Sequence, residues 1–132
     1  MIRFFLRSKV HRATVTDARL DYVGSITIDA ELMDAAGIDE HERVLVVDVE
    51  NGVRLETYAI PGPRRSGVVC MNGAAARLVH AGDRVIVMTF AGLDPAEIRA
   101  HRPKIVYLDE RNRIVGSGSE GVADDDLPGG AL

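Results

Sequence analysis

A chain of 132 residues, 46% apolar and 27% charged, reads as one soluble domain able to bury about two-thirds of its unfolded surface. A net charge of −4 speaks against general affinity for nucleic acid or anionic lipid, and the single cysteine, Cys70, excludes an intrachain disulfide framework. No apolar run approaches membrane-spanning length and the first residues lack a signal-length apolar stretch, so a cytoplasmic location is expected.

Residues 2–6, 10–18 and 23–28 are candidate strands, the second through alternation of Ala13 and Val15 with Thr14 and Thr16. Residues 29–37 predict a short helix with Asp29 as N-cap and Gly37 just past its end. Strands over 43–50 and 53–60 flank Asn51-Gly52, a strong hairpin signal. Strands over 67–71, 84–91 and 104–108 follow, with a brief helix opened by Asp94-Pro95. With no tryptophan and 5% aromatics, the core must rest on Val, Ile, Leu and Ala. The pattern predicts an all-β fold with short helices, closed into a small barrel. It occupies residues 1–115, and the Gly-, Ser- and Asp-rich residues 116–132 read as a disordered tail.

Chemistry concentrates in few places. Gly24-Ser25 stands out because its neighbours Val23, Ile26, Thr27 and Ile28 imply ordered backbone, unlike the later Gly-Ser pairs at 116–119. A serine after a glycine can attack the carbonyl of its own peptide bond. Asn72-Gly73-Ala74-Ala75-Ala76 reads as a strand-to-helix turn, or as uncovered N–H groups that could bind a carboxylate. Alternation puts Arg54, Glu56 and Tyr58 on one strand face and Thr57 on the other. That face is either a solvated surface with a cross-strand ion pair or a guanidinium and phenol aimed at substrate. Lys9 and His11, two apart within a basic N-terminal cluster, are either a solvated face or an anion clamp. Cys70 reads as a small buried hydrophobe, and the scattered histidines give no metal-ligand spacing.

Taken together, Met1-Ile2-Arg3, residues 8–16, Tyr22-Val23-Gly24-Ser25-Ile26-Thr27-Ile28-Asp29, Asn51-Gly52, Thr57-Tyr58-Ala59-Ile60 and Asn72-Gly73-Ala74-Ala75-Ala76 resemble bacterial aspartate 1-decarboxylases. Departures are Phe4-Phe5, Pro63-Arg64-Arg65 and Arg77. The resemblance implies a six-stranded double-psi β-barrel and a homotetramer of α and β chains. It implies a proenzyme in which Ser25 attacks the Gly24 carbonyl, with Thr57 steadying the oxyanion, until a pyruvoyl cofactor stands at position 25. That group forms a Schiff base with L-aspartate, Tyr58 donates a proton, and β-alanine leaves for pantothenate and coenzyme A synthesis. Arg54 and Lys9 are implied for the two carboxylates, and Thr57 with the backbone of Gly73, Ala74 and Ala75 for substrate contact. His11, Tyr22 and Asn72 are implied as supporting residues. A non-catalytic barrel, or a pyruvoyl enzyme for another amino acid, are the competing readings.

Overall fold

The computed structural model describes residues 1–118. Its elements run β1 (Arg3–Thr14), β2 (Asp17–Arg19), β3 (Ser25–Asp29), α1 (Ala30–Ala36), β4 (Arg43–Asp48) and β5 (Arg54–Gly62). After these come β6 (Val69–Asn72), a 3-10 turn (Gly73–Arg77), β7 (Arg84–Leu93), α2 (Pro95–Ala100), β8 (Lys104–Leu108) and β9 (Ile114–Gly118). The mostly-β expectation holds. Among the described residues there are nine strands, several of them short. They form one sheet ordered β2-β6-β3-β5-β4-β7-β1-β8-β9, whose ladder does not close on itself. Chain continuity links distant parts of that order, because only Val15 and Thr16 separate β1 from β2. The N–H of Val15 donates to Asp83 O (2.8 Å) and that of Thr16 to Val69 O (2.7 Å).

Several boundaries differ from those expected, each for a local reason. β1 is one twelve-residue strand, and register shifts at Leu6/Ser8 and Val10/Ala13 scramble the alternation that would have shown it as one. β3 begins at Ser25, so the Gly24–Ser25 bond lies at the entry of a strand and not inside one. The β4–β5 connection spans residues 49–53, longer than a two-residue hairpin turn. Asp48 Oδ1 accepts from the Glu50 N–H and Asn51 Oδ1 from the Val53 N–H, which stabilises the wider loop. Residues 116–118, placed in the tail by composition, pair with β8 (Ile105↔Gly118, Val106↔Ser117). The remainder of the expected tail lies outside the described residues.

Both helices form as their caps dictate. Asp29 accepts from the Glu31 N–H and Gly37 closes α1, while Asp94 and Glu97 form a reciprocal capping box on α2. The Asp29 carboxylate also accepts from the N–H groups of Arg65 and Gly67. Arg64 and Arg65 pair with Asp34 and Glu31 of α1, so the Pro63-Arg64-Arg65 loop is tied to that helix. The core is aliphatic, with Val10, Ile26, Ile28, Leu32, Val46, Met71 and Val87 all essentially buried. Each such side chain contributes about 1.5–3 kcal/mol through burial. Among the described residues, no helix is long and apolar enough to cross a membrane.

Candidate active site

The register of the three strands around Gly24–Ser25 builds the site. β3 lies parallel to β5 (Ile26↔Ala59) and antiparallel to β6 (Ser25↔Asn72). Extended back two places, the β3–β5 register sets Gly24 beside Thr57 and Ser25 beside Tyr58. Tyr58 belongs to the outward face of β5, as alternation predicted, and Thr57 to the half-buried one. The result is a cleft of about 460 Å³ whose lining includes Tyr22, Gly24, Ser25, His41, Tyr58 and Asn72.

Ser25 is almost wholly buried, and its Oγ accepts from Asn72 Nδ2 at 2.9 Å. The same amide group donates to Thr27 Oγ1 at 2.9 Å, which fixes the Asn72 rotamer. Asn72 Oδ1 accepts from the Cys70 thiol at 3.4 Å. Burial, then the charge of Asp17, pushes that thiol's pKa up, so Cys70 is a protonated donor and a poor nucleophile. A buried, oriented hydroxyl thus stands beside a peptide carbonyl and shares a cleft with a phenol. Such a set can support nucleophilic and acid–base chemistry.

Gly24 itself carries no positive φ, and a Cβ there would meet nothing within 4 Å. Ser25, at φ 157°, is close to extended. The glycine that the site requires is Gly73. It has φ +72°, and a Cβ on it would sit 2.8 Å from the N and Cα of Gly24 and 2.9 Å from Tyr22 O. Gly73→Ala should combine a left-handed penalty of about 1–2 kcal/mol with overpacking of about 1–3 kcal/mol. Gly52 has φ +75° with open space around it, so Gly52→Ala isolates the first term. Urea unfolding should show a loss for Gly73→Ala at least twice that for Gly52→Ala. Equal losses would mean that the backbone of Gly24 yields freely.

Tyr22 and Asn72 join Ser25 and Tyr58 in the cleft, but other expected residues do not line it. Lys9 and His11 keep their shared face on β1, opposite Ile105 and Tyr107 of β8, with His11 buried edge-on to the Tyr107 ring at 5.7 Å. Arg54 lies four residues before Tyr58, about 13 Å along β5. Gly73, Ala74 and Ala75 open the 3-10 turn directly after Asn72. The cross-strand pair on the β5 face is Arg43 with Glu56 (3.8 Å). At the rim Arg19 stacks over Tyr22 at 5.1 Å and donates to its hydroxyl at 2.9 Å.

His41 was missed. It lines the cleft with its ring 6.3 Å from that of Tyr58 and holds φ +73°. Its N–H donates to Ala59 O (2.7 Å), and Arg7 braces the preceding loop through Gly37 O (2.8 Å) and Glu42. Only a polar run, Asp39-Glu40-His41-Glu42, marks it in the sequence. Nothing local reveals that β4–β5 pairing carries it to Tyr58.

Fold and cleft together define a mostly-β domain that presents a strand-entry serine, a fixed amide and a phenol to one cleft. Its sequence matches the family model for aspartate decarboxylase over residues 1–115. It is 55% identical to an aspartate 1-decarboxylase of Heliobacterium modesticaldum over 98% of each chain. The corresponding protein of Corynebacterium efficiens is 54% identical over 100% of this chain and 96% of its own. That of Caldicellulosiruptor saccharolyticus is 61% identical over 83% and 86%. The chain belongs to the aspartate decarboxylase family of enzymes.

Proposed function

We propose that this chain is a cytoplasmic proenzyme that cuts itself between Gly24 and Ser25. The mature pyruvoyl enzyme then removes the α-carboxylate of L-aspartate, giving CO2 and β-alanine for pantothenate and coenzyme A synthesis. One observation carries the reading. In a family of decarboxylases, Ser25 is buried at a strand entry with its Oγ held by Asn72, in the same cleft as Tyr58.

For cleavage, Ser25 Oγ bonds to the Gly24 carbonyl carbon as the Gly24–Ser25 C–N bond breaks, giving an ester and a free Ser25 amine. Asn72 holds Oγ in place, and Thr57, beside Gly24 in register, steadies the oxyanion. Loss of the Ser25 Cα proton with breakage of Cβ–Oγ frees Gly24 as a carboxylate and leaves dehydroalanine. Water then replaces its nitrogen, which departs as ammonia. The residues present fit such a group: a buried, oriented position with an amide donor, in a cleft that a phenol also lines. A pyruvoyl group there supplies a ketone for an amine to join and a sink for the electrons left when CO2 departs.

Tyr58 gives its proton to the former α-carbon. The N–H groups of Gly73, Ala74 and Ala75, with Thr57, contact substrate, and Tyr22, Asn72 and His11 support the frame. Lys9 and Arg54 hold the two carboxylates. Because neither lines the cleft of its own chain, a neighbouring subunit of the homotetramer brings them. The fold consistent with this assembly is the double-psi barrel, its core strands extended by short flanking ones.

Intact mass spectrometry of the active protein tests the proposal. Cutting after residue 24 of 132 gives chains of 24 and 108 residues, the longer one starting with the modified position. Fully active material of uncut mass would overturn it.

A further inference from the structure

At the far end of β4 from the cleft, three carboxylates meet. Asp48 ends β4, Glu50 sits in the following loop, and Asp83 directly precedes β7. One oxygen from each lies within 4.8 Å of the others. Asp48 pairs with Val85 of β7, and the Val49 N–H donates to Arg84 O (2.8 Å), so backbone pairing holds the three together.

Asp48 is fully buried. Its Oδ1 accepts from the Glu50 N–H at 2.8 Å, and its Oδ2 has no hydrogen-bond partner. Oδ2 is therefore the oxygen left to offer the cluster. Leaving such an acceptor buried and unpaired is costly, more so when it is charged. Neighbouring donors are spent elsewhere. Asp83 Oδ2 accepts from the His80 N–H at 3.1 Å and lies 3.8 Å from His80 Nδ1, while Glu50 Oε2 accepts from the Arg84 N–H at 2.7 Å. The Arg84 guanidinium turns away to donate to Arg12 O. A single shared proton can join two carboxylates, but three are here.

We propose that Asp48, Glu50 and Asp83 bind a hard divalent cation such as calcium. Carboxylate oxygens select hard cations. Oxygens within 4.8 Å of one another can all reach one ion, and calcium, which accepts irregular geometry and loses its waters more readily than magnesium, suits a site of three side-chain carboxylates. The site lies about 17 Å along β4 from Arg43, the residue opposite Tyr58, and takes no part in the proposed chemistry. A bound ion would fasten the β4–β5 loop to the start of β7.

The test is calorimetric titration of the full chain with CaCl2, with thermal unfolding in parallel against KCl of equal ionic strength. Saturable binding with Kd of about 0.1–1 mM is expected. A tenfold excess over Kd should raise Tm by about 5 °C, with MgCl2 giving less. Asp83→Asn should abolish the response. Glu50→Gln, at an exposed position that tolerates change, should weaken binding about tenfold and keeps the test available if Asp83→Asn does not fold. No saturable heat, or a Tm that moves no further than in KCl, overturns the site and leaves a proton shared by Asp48 and Asp83. Unaltered binding by Glu50→Gln overturns it as well.

Discussion

Ser25→Ala is expected to yield one uncut chain of full mass with aspartate decarboxylation reduced at least about 10³-fold. The substitution removes the oxygen that would attack Gly24 and, with it, the atoms from which the reactive ketone would be made. Folding should survive. The Asn72 amide loses one partner at an almost wholly buried position, a cost of about 1–3 kcal/mol, but keeps Thr27 Oγ1. Unfolding in denaturant should therefore shift modestly while activity vanishes. A Ser25→Ala protein that still turns over aspartate would remove the proposed mechanism altogether.

Tyr58→Phe separates the two stages. Self-cleavage depends on Ser25, Gly24, Thr57 and Asn72, so intact mass should still give two chains. Decarboxylation needs a proton delivered to carbon, and loss of a positioned acid lowers such steps by about 10²–10⁴-fold. The phenol is on the exposed face of β5 and its hydroxyl supports no packing, so stability should be close to unchanged. Unaltered turnover would exclude Tyr58 as donor and turn attention to His41, whose ring faces it across 6.3 Å.

Short-range chemistry made much of this molecule legible from residues alone. The cap of α1 at Asp29 and Gly37, and the Asp94–Glu97 box on α2, are contacts between residues at most a few positions apart. Strands β4, β5 and β7 were recognisable because alternation survives wherever no bulge interrupts it, and β8 because it is a short, buried apolar run. Ser25, Tyr58 and Asn72 could be picked out as candidates because runs around them resemble a family, and the cleft brings these three together.

Other features had no local signal. β9 is glycine- and serine-rich and forms only because β8 offers it an edge. The close approach at Gly73, 49 positions from Gly24, is visible only once Tyr22 and Gly24 are folded onto it. His41, and the acidic trio of Asp48, Glu50 and Asp83, acquire meaning from the pairing of β4 with β5 and β7. By itself, then, the sequence determined the element types, the caps, the aliphatic core and the residues able to react. Tertiary structure decided which of them meet, because sheet register sums weak pairings across the whole chain and no window of neighbouring residues contains that sum.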